Sequence, residues 1–227
     1  MGRESGDGAQ ASAVTAIGRT ERKRAAITDA ATTLFLRGGY RGTTMDEIAA
    51  AAGVSKQTLY KQFSDKEQLF LAVVRALVTA ASDPVHAAAR TLEMTGDLET
   101  DLVALARRQL ELVLQPQLMQ LRRLVIAEAD RFPQLGRAFY DLGPARTIDA
   151  LADALAAFAA TGRLRFTDAH EAASQLNWLI MGEPLNQAML LGFDAPPPPQ
   201  DIDRWATTAV TTFLAAYRAD TQDRSAL

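Results

Sequence analysis

Hydrophobic residues recur at spacings of three and four along most of this chain, which is the period of an α-helix. The first such stretch runs from Thr20 to Leu36, and the glycine pair Gly38-Gly39 ends it. Alternation of apolar and polar residues, the mark of a strand, is nearly absent, and "RLRFT" at residues 163–167 is the one weak candidate. The pattern therefore predicts an all-α fold.

Two short helices are predicted next. Thr44, followed by Glu47 three residues later, forms a capping-box pattern that starts a helix, and Gly53 ends this helix after about two turns. Ser55 then caps a third short helix. A short helix, a turn containing glycine and a second short helix form a helix-turn-helix. The apolar residues expected beneath this motif are Ile48, Val54, Leu59 and Phe63.

The rest of the chain predicts further helices. Ser64 and Glu67 repeat the capping-box pattern and open a long fourth helix. Helix breakers, among them Pro116, Pro133 and Gly162, separate the later segments. We predict these later helices at residues 98–114, 117–130, 133–141, 144–161, 168–192 and 201–219.

The chain divides into four predicted regions. Residues 1–18 are rich in Gly, Ser and Ala, and we expect a disordered tail there. Residues 19–65 are the predicted helix-turn-helix domain, and residues 66–220 are a larger helical domain. Residues 221–227 are predicted to be a flexible tail.

Charge is unevenly distributed along the chain. The formal net charge is −3, yet the segment from Arg19 to Lys66 holds nine basic and five acidic residues. Three of the four lysines lie in the short stretch "GVSKQTLYKQFSDKEQLF" that includes the third predicted helix. A basic head on an acidic body predicts that the head binds a polyanion, with chance scatter of charge as the alternative.

The second helix of the motif carries polar side chains on its outward face, namely Ser55, Lys56, Gln57, Thr58 and Lys61. Such a helix fits the major groove of double-stranded DNA, where base edges carry readable hydrogen-bond patterns. Gln57 can bond a base edge with both amide atoms, whereas Lys56 and Lys61 can reach a guanine or a phosphate. Tyr60 offers a hydroxyl to a phosphate. Lys66 lies in the first turn of the fourth helix, where free N–H groups favour an anion.

The segment "TTMDEIAAAAGVSKQTLYKQFSDKEQLF" resembles the DNA-binding region of TetR-family transcriptional regulators, and the likeness covers about residues 20–70. One position departs from the family pattern, because Gln62 stands where the family usually has His or Tyr. The resemblance implies that Thr43 and Thr44 contact phosphate. It also implies a three-helix DNA-binding domain joined by a long helix to a larger helical domain for ligand binding and dimerisation.

The segment "RLVIAEADRFPQLGRAFYDLGPAR" resembles the regulatory domain of the AefR-like branch of that family. The resemblance implies that the larger domain encloses a small-molecule pocket and dimerises through its last two helices. Polar or polarisable groups within apolar helices are the pocket candidates, namely Arg123, Tyr140, Asn177, Trp178 and Met181. An amide inside an apolar run needs a hydrogen-bond partner, and the sequence favours the alternative to a pocket role, namely that Asn177 is a satisfied core amide or a dimer contact.

The last two predicted helices carry apolar and small residues at helical spacing. Two such helices from each of two chains would form a four-helix interface and make a homodimer. The alternative is that both stripes cover the chain's own core. The predicted dimer-interface residues are Ala173, Ile180, Ile202, Trp205, Ala209, Phe213 and Tyr217.

Other classes of function lack the residues they need. The chain has no cysteine, and its two histidines lie far apart in sequence, so we expect no metal site and no cofactor. No nucleophile and base at catalytic spacing and no phosphate-binding glycine loop point to an enzyme. No apolar run of about 18 residues and no signal peptide occur, so we expect a cytoplasmic location without a membrane partner.

These observations predict a ligand-responsive repressor that binds a palindromic DNA operator as a homodimer. A small apolar or amphipathic effector is expected to release it. Two alternatives belong to other classes: an all-α enzyme that uses the helix-turn-helix only for packing, and an architectural DNA binder without sequence preference. The acidic body argues against the second, because such binders are usually basic throughout.

Overall fold

The fold is all-α, as predicted. The computed structural model describes residues 7–90, 97–192 and 195–219, and within them the one β-type pairing is an isolated bridge between Leu164 and Arg218. The helices are α1 (Asp7–Gly42), α2 (Met45–Ala51), α3 (Lys56–Gln62), α4 (Lys66–Arg90), α5 (Leu98–Val113), α6 (Pro116–Glu128), α7 (Pro133–Tyr140), α8 (Arg146–Ala160), α9 (Ala169–Leu191) and α10 (Pro199–Tyr217), with a π-helical turn at Asp141–Ala145 between α7 and α8.

The N-terminal region differs from the prediction of a disordered tail over residues 1–18. Residues 7–18 belong to α1, whose predicted start was Thr20. Alanine has the highest helix propensity, and the run "AQASAVTA" at residues 9–16 extends the helix backward from the apolar stripe. Residues 1–6 and the predicted C-terminal tail, residues 221–227, lie outside the described residues.

Local signals in the sequence set the turns around α2. Gly39 interrupts α1 with φ 73° and ψ 172°, and Gly53, at φ 64°, follows the end of α2. Both are backbone conformations that only glycine adopts without strain. The predicted capping box is confirmed: the N–H of Glu47 donates to Thr44 Oγ1 (3.2 Å), and the N–H of Thr44 donates to Glu47 Oε2 (2.8 Å).

The start of α3 was predicted correctly, but the start of α4 was not. Ser55 caps α3, since its Oγ accepts the N–H of Thr58 (3.2 Å). At α4 the cap is Asp65 rather than Ser64: Asp65 Oδ1 accepts the N–H of Gln68 (2.8 Å), and Ser64 Oγ donates to the same carboxylate (2.9 Å). A carboxylate at a helix N terminus also interacts favourably with the helix dipole, which favours the later cap.

The chain forms two compact units, Met1–Val74 and Arg75–Leu227, and the boundary falls inside α4 rather than before it at residue 65. The first turns of α4 complete the core of the first unit, which explains the shift. The Phe70 ring lies 4.9 Å from Phe35 and 5.3 Å from Tyr40, and Leu69 is fully buried. Burial of these aromatic rings holds the helix-turn-helix together.

The second unit is a helical bundle whose central contacts join α10 to α5 and α9, and α8 to α9. Phe158 and Phe213 are among its largest buried side chains. Pro144 lies in the π-helical turn, where the sequence predicts a break between two helices, because proline cannot supply a helical N–H.

Helix α4 is long and apolar enough, by length and composition alone, to cross a membrane. Its Lys66–Ala89 stretch has a mean hydropathy of 1.3, and 44% of it is buried within the structure. The core helix of a soluble protein meets the same criterion, so this single helix is weak evidence for a membrane span.

Candidate nucleic-acid interface and interior cavity

The outward face of α3 is polar and open to solvent. Lys56, Gln57, Tyr60 and Lys61 are exposed, whereas Leu59, on the opposite face, is fully buried. The structure shows no hydrogen bond from the side chain of Gln57 or Lys61 to any described residue. Both side chains are therefore available to a ligand, and their contact with DNA stays a prediction.

Lys56 is partly engaged within its own unit. Its Nζ lies 2.6 Å from Asp46 Oδ2, with the two side chains 65% and 60% exposed. A pair this exposed contributes at most about 1 kcal/mol, because water and salt screen it. A phosphate or a guanine could therefore replace Asp46 at little cost.

Two of the predicted contacts are hydroxyls that already cap helices. Ser55 Oγ and Thr58 Oγ1 lie 2.9 Å apart, so the predicted Ser55 and Thr58 contacts would share these groups with the cap of α3. Thr44 is exposed, but its hydroxyl donates to Glu47 Oε2 (2.9 Å) within the capping box. The Thr44 N–H, and to a lesser extent this hydroxyl, hold the pKa of the Glu47 carboxyl below its usual range.

The Thr43 side chain does not lie on the surface, which contradicts its predicted phosphate contact. Thr43 is 2% exposed, and its hydroxyl lies within hydrogen-bond distance of the carbonyls of Leu34 (3.1 Å) and Gly39 (2.9 Å). The break at Gly39 leaves carbonyls near the end of α1 without helical partners, and Thr43 satisfies them. Its role in the structure is therefore to close α1.

Lys66 ties α4 to the turn between α1 and α2. Its ammonium donates to the carbonyls of Tyr40 (2.9 Å) and Thr43 (3.0 Å) and lies 4.4 Å from the centre of the Tyr40 ring. The side chain is only partly exposed. The predicted phosphate contact of Lys66 would therefore compete with an existing structural role.

Arg24 positions the end of α3, a role that the sequence analysis did not predict. Its guanidinium donates to the carbonyl of Gln62 (3.0 Å) and stacks over the Phe63 ring at 4.2 Å. The last carbonyls of a helix lack helical partners and attract cations, which is the signal that could have identified it.

The second unit encloses a cavity of about 50 Å³ among α4 to α9. Most of its wall is apolar, and the predicted pocket residues Asn177, Trp178 and Met181 line it. Gln109 Nε2 donates to Asn177 Oδ1 (2.8 Å), and these two amides are 2% and 3% exposed. Asn177 is thus both a bonded core amide and a cavity residue.

The comparisons with known proteins agree with this architecture. Residues 27–73 match the model of the bacterial regulatory proteins of the tetR family. Residues 100–219, more than half of the chain, match the C-terminal domain of AefR-like transcriptional repressors. This protein belongs to the TetR family. It is therefore a DNA-binding transcriptional regulator and not an enzyme.

Two solved structures match nearly the whole chain. A regulator from Mesorhizobium loti MAFF303099 is 39% identical with a TM-score of 0.83, and the match covers 88% of this chain and 99% of that one. The flavonoid-responsive regulator FrrA is 33% identical with a TM-score of 0.73, and the match covers 87% and 98% of the two chains.

Curated relatives match over shorter segments. The transcriptional activator FasR of Mycolicibacterium smegmatis is 42% identical over 71 residues, which is 31% of this chain and 32% of FasR. The repressor TetR of Mycobacteroides abscessus is 35% identical over 88 residues, 39% of this chain and 43% of that protein. The matched part thus spans less than half the length of these relatives, one of which activates and one of which represses.

Two of the predicted pocket residues of this TetR-family regulator do not line the cavity. Arg123 instead donates to the carbonyl of Ala188 (3.0 Å), and Tyr140 is 52% exposed. Their neighbours Arg122 and Phe139 line the cavity in their place. Adjacent helical residues point about 100° apart, so an error of one residue changes the face.

Six of the seven predicted dimer-interface residues are buried within the single chain, which contradicts their placement. The buried positions, each no more than 7% exposed, are Ala173, Ile180, Ile202, Trp205, Ala209 and Phe213. Tyr217 is partly exposed, and its hydroxyl donates to Gln175 Oε1 (2.6 Å). The stripes bury α9 and α10 against each other and α10 against α5, so they offer little surface to a second copy.

Proposed function

We propose that this TetR-family regulator is a cytosolic repressor that binds a palindromic DNA operator as a homodimer and leaves it when a small amphipathic effector fills the cavity of the second unit. The outward face of α3 supports DNA binding, because the side chains of Gln57 and Lys61 are exposed there and have no hydrogen-bond or ion-pair partner among the described residues. A helix with such a face can enter the major groove and read base edges.

Sequence-specific binding of this kind uses two helices. Two recognition helices must lie about 34–36 Å apart to enter successive major grooves on one side of the duplex. One chain supplies one α3, so a second copy is needed, and the two-fold symmetry of the dimer is matched by a palindrome.

The proposed dimer surface is the outer face of α9 and α10. We define this outer face by its exposed residues Gln175, Leu179, Gly182 and Asn186 of α9 and Thr208, Thr211 and Ala215 of α10. Hydrogen bonds from Trp205 to Glu183 (3.3 Å) and from Tyr217 to Gln175 join the two helices into one continuous surface. Small residues such as Gly182 allow the close approach of another helix.

Exposed apolar side chains support this placement. Trp178, Leu179, Leu190 and Leu191 are between 43% and 80% exposed, and all four lie on α9. Large apolar side chains gathered on one helix indicate an interaction surface rather than scattered exposure. A second copy of the chain is the occupant that the family's usual dimeric state favours.

Leu179→Glu tests the dimer surface, with Ile126→Glu as its control. Ile126 is 60% exposed on α6, a helix that contributes no residue to the outer face as defined above. We expect Leu179→Glu to give monomers by sedimentation with unchanged helical circular dichroism, and Ile126→Glu to remain dimeric. A folded Leu179→Glu dimer would refute the outer face as the interface.

The operator is tested with duplexes that the wild type selects from a random library. We expect the selected sequences to contain two inverted half-sites, and Leu179→Glu to bind them far more weakly than Ile126→Glu does. Undiminished binding by the monomeric variant would refute the two-half-site mechanism. Transcription from a promoter that overlaps the selected site should fall when the protein is added, and a rise would identify an activator instead.

A further inference from the structure

Two polar atoms in the wall of the cavity lack partners. Gln109 Oε1 and Arg122 Nε are both buried without a hydrogen bond. Both hydroxyl groups of the wall have partners: Ser82 donates to the carbonyl of Leu142 (3.0 Å), and Thr147 lies 3.4 Å from His86 Nε2. Buried polar atoms without partners are costly, and both atoms belong to residues that line the cavity.

Arg122 is a cation without a counter-ion. None of the described carboxylates lies within salt-bridge distance of it, and no Asp or Glu lines the cavity. Its guanidinium lies 4.8 Å from the centre of the Phe139 ring, which supplies only a weak cation–π interaction. Burial lowers the pKa of Arg122 to about 10, so the group stays protonated at neutral pH.

The neighbouring arginine provides an internal comparison. Arg123 is satisfied by the carbonyl of Ala188 and lies outside the cavity. Arg122 is therefore distinguished by its surroundings and not by its residue type. An arginine fork matches the planar geometry of a carboxylate, which it can bind through two parallel hydrogen bonds.

We infer that the effector is an amphipathic organic monoanion whose carboxylate pairs with Arg122 while its apolar body fills the cavity beside Phe139 and Trp178. The neutral amides of Gln109 and Asn177 form hydrogen bonds, as donors or acceptors, with an uncharged polar group of the same molecule. The cavity of about 50 Å³ must widen to hold such a molecule, since ligand pockets usually measure about 300–1,000 Å³. This inference rests on the effector-binding role proposed above and names its ligand class.

The test compares acids with their neutral methyl esters by titration calorimetry on the full chain without DNA. The probes are 4-hydroxycinnamate, indole-3-acetate and decanoate, each with its ester, together with acetate and inorganic phosphate. We expect at least one of the three acids to bind at least about tenfold more tightly than its ester, the value of one charged hydrogen bond. Acetate and phosphate should bind at least about tenfold more weakly, because they bury little apolar surface.

Arg122→Met and Arg123→Met are the matched variants. Arg122→Met should remove the preference for the acid while it keeps the affinity for the ester, and Arg123→Met should change neither. Arg122→Lys keeps the charge without the planar fork and should retain part of the preference. Thermal melts monitor the folding of all three variants.

The inference is overturned if no acid of the panel binds below about 1 mM, if the ester binds as well as the acid, or if the preference survives in Arg122→Met. Equal affinity for phosphate and the acids would also overturn it, since the apolar body would then contribute nothing. Because these titrations contain no DNA, their failure leaves operator binding standing. Conversely, failure to select a duplex would refute the proposed function and leave acid binding intact.

Discussion

Lys66→Met should weaken the first unit by loosening α4 from the turn between α1 and α2. The Lys66 ammonium donates to two carbonyls, of Tyr40 (2.9 Å) and Thr43 (3.0 Å), and lies over the Tyr40 ring. Methionine keeps most of the apolar stem but supplies no donor. Both carbonyls are near the end of α1, where the break at Gly39 leaves few other donors.

The magnitude follows from the contacts that are lost. A hydrogen bond to a charged group contributes about 1.5–3 kcal/mol, and the cation–π contact adds about 0.5–1 kcal/mol. Lys66 is partly exposed, so water replaces part of this loss, and we expect a net destabilisation of about 2 kcal/mol. That corresponds to a rise of roughly 30-fold in the local opening equilibrium. Amide hydrogen exchange in α2 and α3 measures this opening.

Lys61→Met is the control, because it removes the same charge from an exposed side chain without a hydrogen bond to any described residue. Its amide exchange should match the wild type, whereas the slope of log affinity against log salt should fall by about 0.9, the value for one phosphate contact. Unchanged exchange in Lys66→Met, combined with a salt slope reduced by about 0.9, would refute the structural role of Lys66.

Three further predictions concern single side chains. Gln57→Ala should cost about 1–3 kcal/mol at one operator position and relax the base preference there, and an equal loss at every position in a binding-site selection would remove Gln57 from base readout. The Gln68 N–H holds the pKa of Asp65 below its ordinary 3.8, so the charge of Asp65 stabilises the fold above that pH and the effect fades as pH falls through the folded pKa. Asp65→Asn keeps a cap but not the charge: it should cost about 0.3–1 kcal/mol in urea unfolding at pH 7 and progressively less as the pH falls below 3.8, and a difference independent of pH would contradict this. Phe213→Asp should unfold the second unit rather than produce monomers, since Phe213 is 1% exposed, and a folded variant with native circular dichroism would show that this side chain is not part of the core.

Short-range signals predicted the helix-turn-helix well. The caps at Thr44 and Ser55 and the glycine at Gly53 act over three or four residues, so the sequence alone specifies them. The cap of α4 at Asp65 was not predicted by these short-range signals. Two adjacent residues could each cap α4, and the choice depends on the relative strength of a hydroxyl and a carboxylate as acceptors.

Helical periodicity identified buried faces but not what buries them. The stripe that contains Trp205 and Phe213 has the spacing of an interface, yet α5 and α9 of the same chain cover it. Periodicity reports only that a face is removed from water, and intramolecular and intermolecular burial give the same pattern. The outer face of α9 and α10 mixes Leu179 with polar and small residues, so it has no comparable signal in the sequence.

The sequence also does not determine which individual residues line the pocket. Asn177 was found because an amide within an apolar run is unusual, and its partner Gln109 is 68 residues away in sequence. Arg122 and Arg123 are adjacent and chemically identical, so only the three-dimensional register separates the cavity residue from the one that binds the carbonyl of Ala188. Residue type predicts what a site can do, whereas tertiary packing decides which copy of that residue does it.

The lysine cluster illustrates why counting charges overestimates a nucleic-acid interface. Lys56 is paired with Asp46, Lys66 is bonded to two backbone carbonyls, and only Lys61 of the three has no partner among the described residues. The net free energy of binding a phosphate is most favourable for a cation that has no partner to lose. It is less favourable for a cation in an exposed ion pair, and least favourable for a cation whose existing contacts stabilise the fold. The three lysines should therefore contribute unequally to DNA affinity, in the order Lys61, Lys56, Lys66, although they are equivalent in the sequence.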